Sequence, residues 1–90
     1  MPTPRILPQA GDLIAAENLP EDVVQATLTD PARIARLPGG TLIYMRPYFD
    51  PVLQQDMLMR VFVEDVEGRK SVVSVERTAE IEKFFPWVGE

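Results

Sequence analysis

Met57-Leu58-Met59-Arg60-Val61-Phe62-Val63-Glu64, then Asp65-Val66-Glu67-Gly68-Arg69, then Lys70-Ser71-Val72-Val73-Ser74-Val75-Glu76-Arg77 decides the fold. The outer runs are rich in β-branched and aromatic residues, and the glycine between them predicts a three- to five-residue hairpin loop. Side chains alternate across a strand, so each run has two faces. One face is expected to collect Ile43, Met45, Met59, Val61, Val63, Val73 and Val75 for helices to cover. The other would carry Leu42, Tyr44, Arg46, Tyr48, Leu58, Arg60, Phe62, Val72, Ser74 and Glu76.

Working towards the N-terminus, Thr41 to Tyr48 is a further strand that follows the turn Pro38-Gly39-Gly40. Residues 49–56 form a loop with at most one helical turn, capped by Asp50 before Pro51. Arg33-Ile34-Ala35-Arg36-Leu37 alternates polar and apolar and is favoured as a strand, the competing reading being a helical turn started by Asp30-Pro31. Leu19 to Leu28 is a helix with both ends marked: Pro20 suits its first position, Glu21 and Asp22 complement the dipole, and Asp30-Pro31 stops it. A weaker helix is expected over 9–18, with Gly11 costing about 1 kcal/mol relative to alanine.

After the strands, Thr78 can cap a short helix whose Ile81, Phe84 and Phe85 share one side, and Pro86 ends it. The aromatics, Trp87 included, read as core. Prolines at 2, 4 and 8 make 1–8 an extended arm. The fold class is therefore α+β: N-terminal helices, a four-stranded antiparallel β-meander and a short C-terminal helix, in a single domain over 9–90.

The 90 residues include no cysteine and no histidine, which excludes thiol chemistry, disulfides, Cys/His zinc sites and imidazole catalysis. No stretch approaches the length of an apolar membrane span, and the start lacks a signal-peptide core, so no membrane association and a cytoplasmic location are expected. A formal charge of −5 disfavours RNA and other polyanions without forbidding a local basic patch. Asp12, Glu17, Glu21 and Asp22 lack the spacing of a calcium loop and read as a solvated helix face. Met45, Met57 and Met59 read as core filler, so no metal and no cofactor are expected.

The mixed strand face is the candidate binding site. Arg46 and Arg60 offer paired donors suited to a phosphate or carboxylate, and Tyr44, Tyr48 or Phe62 could stack on a base. Glu76 could take a proton. The alternative is that the arginines pair across strands with Glu64 and Glu76 while the aromatics cover a half-wet sheet.

The helix from Leu19 to Leu28 ending in Asp30-Pro31, the run Met57 to Glu64, the Gly68 turn and Val72 to Thr78 before a glutamate-containing helix resemble the small bacterial BrnT-like domains of the RelE-like toxin fold. The resemblance covers about residues 9–86. It implies a compact ribonuclease toxin neutralised by an antitoxin, with chemistry resting on Arg, Lys, Tyr and Glu, and it carries basic functional positions onto Arg60 and Arg77. Two functions follow. The first is a non-catalytic interaction module that meets a protein partner, antitoxin-like if the resemblance extends to it, through its sheet face or edge. The second is a ribonuclease in which Arg60, Arg77 and Glu76 are catalytic, with Arg46 helping to position phosphate and Tyr44 or Tyr48 able to assist proton transfer.

Overall fold

A computed structural model describes residues 3–84. Pro8 starts α1 (Pro8–Ala16) one position earlier than the sequence pattern suggested, where a missing N–H costs nothing. The helix ends in a Schellman motif. Asn18 adopts a left-handed conformation at φ 54°, its N–H donates to the Ala15 carbonyl, and the Leu19 N–H donates to the Ile14 carbonyl. Ile14 and Leu19 are both buried in the core, so the motif fixes the turn into the next helix.

That next helix, α2 (Glu21–Thr29), has Pro20 as its N-cap and Glu21 and Asp22 in its first turn. Val24, Thr27 and Leu28 are its buried side. Fully buried Thr27 remains satisfied because its hydroxyl donates to the Val23 carbonyl at 2.7 Å.

Among the described residues the sheet has five strands, where the sequence pattern suggested four: β1 (Arg5–Ile6), β2 (Arg33–Arg36), β3 (Thr41–Asp50), β4 (Gln55–Val66) and β5 (Arg69–Thr78), in the order β1-β5-β4-β3-β2. Strands β2 to β5 pair antiparallel, each with the next in sequence, as a meander within this larger sheet. The additional strand comes from the proline arm, where Arg5 and Ile6 pair in parallel with Ser71 and Val72. The Leu7 N–H continues the pairing to the Val72 carbonyl. Residues 33–36 are a strand rather than a helical turn.

The β4–β5 and β3–β4 hairpins are tighter than expected. β4 and β5 are joined by Glu67 and Gly68 alone, both at positive φ (54° and 84°), which is the backbone of a two-residue primed turn. The Asp65 carboxylate accepts the Gly68 N–H at 3.0 Å. Gly68→Ala is expected to cost about 1 kcal/mol in urea denaturation, because a Cβ there meets no neighbour and only the left-handed backbone is penalised. At the other hairpin, β3 and β4 extend until only 51–54 remain outside the ladder.

Pro47 is accommodated within β3. The Met45 carbonyl faces β2, so the backbone groups of Pro47, two residues on, face the same way, beyond the last β2 partner at Arg33.

Helices α1 and α2 cover one face of the sheet. Ala10, Ile14, Leu19, Val24 and Leu28 pack there against Leu42, Tyr44, Met59, Val61, Val63, Val72 and Val75. A smaller core lies on the opposite face, where Ile43, Met45 and Leu58 pack with Ala35, Phe62, Ile81 and Phe84. The short helix α3 (Ile81–Phe84) supplies the last two. Thr78 accepts the Glu80 N–H at 3.0 Å just before that helix. Phe85 and Trp87, read as core from sequence, lie outside the described residues.

The faces expected from sequence are correct for β4 and inverted for β3. Leu42-Ile43-Tyr44-Met45 is apolar at both parities, so alternation could not orient it, and pairing of Tyr44 with Val61 and of Met45 with Arg60 sets the outcome. In β5 a bulge makes Val73 an extra residue: Phe62 pairs with Ser74 while Val63 pairs with Val72. Val72 and Val75 therefore share the helix-covered face despite their odd spacing.

Candidate functional site

The residues expected to form one site are divided between the two faces of the sheet. Tyr44, Arg46, Tyr48 and Arg77 belong to the helix-covered side, and Arg60, Phe62 and Glu76 to the side of α3. Within the first set, Tyr44 is buried in the principal core. Arg46 donates to the Asp30 carbonyl at 2.5 Å and lies 3.4 Å from the Asp30 carboxylate, tying the end of α2 to β3. Its partner is thus a helix terminus, not Glu64.

On the opposite face, Arg60 forms an ion pair with Glu76 across adjacent strands, the partner expected from cross-strand pairing. Its guanidinium carbon lies 3.9 Å from the centroid of the Phe84 ring and 5.1 Å from that of Phe62. The Arg60 side chain is only 12% exposed, and its buried Nε has no hydrogen-bond partner among the described residues. An incoming phosphate would have to displace Glu76 and enter beneath Phe84. The arrangement joins β4, β5 and α3, leaving this arginine poorly placed for ligand capture.

The densest polar cluster was not singled out by sequence patterning. It centres on Asp50 at the end of β3, whose side chain is 5% exposed. One carboxylate oxygen accepts the Val52 and Leu53 N–H groups at 2.9 and 3.0 Å, which holds the hairpin turn. The other accepts the Tyr48 hydroxyl at 3.2 Å and lies 3.6 Å from the Arg77 guanidinium. Arg77 reaches this face because the bulge at Val73 shifts the parity of β5.

The Leu53 N–H is the leading cause holding the Asp50 carboxyl below its ordinary value, aided by Val52, Tyr48 and Arg77 and opposed by burial. The Tyr48 hydroxyl is pushed above its ordinary value, first by burial and then by the Asp50 charge. The cluster is therefore an ionised carboxylate beside a neutral phenol at neutral pH. Sequence did mark Asp50 as a turn cap, which it is; its contacts with Tyr48 and Arg77 are tertiary and left no local signal.

A pocket of about 360 Å³ opens beside this cluster. Leu19, Pro20 and Val23 line it from the helical layer, and Phe49, Val52 and Leu53 from the hairpin, together with Asp50 and Arg77. The hairpin residues are unusually exposed for their size, with Phe49 at 58% and Val52 at 81%. Among the described residues no three acidic side chains gather as a metal site, and no helix is long and apolar enough to cross a membrane.

No family model, curated protein or solved structure matches the chain. The site geometry thus carries the functional reading.

Proposed function

We propose that the protein is a non-catalytic interaction module that docks a partner protein at the end of the β3–β4 hairpin. The carrying observation is the exposure of Phe49, Val52 and Leu53 beside a pocket with apolar walls. Apolar side chains held out on a rigid turn are suited to burial by another surface, and Asp50 supplies the rigidity here. The chemistry of the candidate cations supports the same reading. Arg46, Arg60 and Arg77 each face a carboxylate, and the sheet separates Arg77 from Arg60 and Glu76. The BrnT-like, RelE-like affiliation with an antitoxin-like partner belongs to this proposal, supported by the succession of two helices, a meander and a short helix.

The test compares wild type with a Val52→Glu/Leu53→Glu variant as affinity baits in extracts of the native cells. A specific protein should be retained by wild type and reduced at least about tenfold by the variant. Circular dichroism and Tm should match, because both positions lie outside the two cores. Induced expression should leave growth and RNA ends unchanged. Two baits that recover the same proteins would overturn the proposal. So would growth arrest with defined RNA cleavage that disappears in Arg60→Ala, the outcome belonging to a ribonuclease.

A further inference from the structure

The sheet ends on one side at β2, whose outer edge has no strand beside it among the described residues. The Leu37 N–H donates to the Thr41 carbonyl across the β2–β3 ladder. Backbone groups alternate direction along a strand, so Arg33 and Ala35 also bond towards β3, while Ile34 and Arg36 direct their N–H and C=O groups outwards. Pro31 and Pro38 bracket the strand and confine the open edge to this short stretch.

The side chains give the edge a pattern. Ile34 is 47% exposed, and neither Arg33 nor Arg36 makes an ion pair among the described residues. The two arginines lie on opposite faces of the sheet, since Arg33 pairs with Met45 and Arg36 with Leu42. Exposed arginines on both faces of this edge match a strand that carries acidic side chains on both of its own faces.

We propose that the β2 edge accepts an extended segment of a partner protein as a sixth, antiparallel strand, and that this segment carries two acidic residues three positions apart with apolar residues between them. Residues three apart on a strand occupy opposite faces, as Arg33 and Arg36 do. One acidic side chain then meets Arg36 and the other Arg33, while the residues between them meet Ala35 and Ile34. Backbone bonds from Ile34 and Arg36 supply the attachment, and the two charges supply register and selection. The proposal adds a partner chemistry and a second contact surface to the interaction-module reading, on which it rests.

The probe is a labelled eight-residue peptide, GTEVVETG, titrated against the full chain alongside its lysine counterpart GTKVVKTG. Wild type should bind the glutamate peptide at least about tenfold more tightly than the lysine peptide. Ile34→Pro should weaken it by a similar factor, because proline removes an outward N–H that β3 does not use. Arg33→Glu/Arg36→Glu should reverse the preference, a gain of binding that misfolding would not produce. The proposal is overturned by a wild type that binds neither peptide or does not distinguish them, or by an Ile34→Pro variant that binds unchanged. It is overturned as well if binding is lost in Val52→Glu/Leu53→Glu and retained in Ile34→Pro. That last result would leave the hairpin docking reading intact.

Discussion

Leu58→Ala is expected to destabilise the domain by about 2–5 kcal/mol in urea denaturation, the range for truncating a fully buried leucine. Leu58 is 0% exposed and is enclosed by Ile43, Met45 and the residues contributed by α3. A chain of this size has a total stability of roughly 5–13 kcal/mol, so the loss would be a large share of the whole. The experiment also decides whether the sheet has a packed second side. Sequence alternation placed Leu58 on a half-wet face beside Arg60, where truncation would cost little. A change below about 1 kcal/mol would support that wet face and remove the second core.

Asp50→Ala is expected to lower Tm by roughly 10 °C or more, because it leaves two turn N–H groups, the Tyr48 hydroxyl and the Arg77 guanidinium without their shared acceptor. Asp50→Asn should lie between, since an amide oxygen can still accept the Val52 and Leu53 N–H groups while the charge facing Arg77 is gone. The pH dependence has a definite sign. The folded protein holds this carboxyl below its ordinary value of 3.8, so its stabilisation is present above that pH and is lost as pH falls through the folded value. Wild type should therefore lose more stability than Asp50→Asn in the acid range below about pH 4. Parallel acid titrations of the two proteins would show that Asp50 contributes nothing through its charge.

Local signals in the chain predicted the elements better than their faces. Pro20 and Asp30 marked α2 because capping and proline geometry act within a few residues, and Gly68 marked the hairpin because positive φ selects glycine. The strand at Arg33 to Arg36 followed from alternation. Alternation failed in β3, where Leu42-Ile43-Tyr44-Met45 is apolar throughout and only pairing with β4 chooses the inward side. It failed again in β5, where one extra residue changes parity halfway along the strand. The failure in β3 accounts for the misplaced site: it put Tyr44, Arg46 and Tyr48 beside Arg60 and Glu76, when the sheet lies between them. The Arg60–Glu76 pair itself was legible, since the parity assigned to both positions was right. Strand β1 escaped notice because two residues are too few to show a period.

That brief parallel strand has a kinetic consequence. Each pairing in the meander joins neighbouring segments, so its loop-closure cost is small, whereas Arg5 must find Ser71 across most of the chain. Only two residues of pairing and the adjoining α1 contacts reward that search. The meander is accordingly the natural nucleus, and the N-terminal segment closes over it late. The same asymmetry makes β1 the first element to open in the folded state, leaving β5 transiently as an unprotected edge while the antiparallel ladder beneath it stays intact.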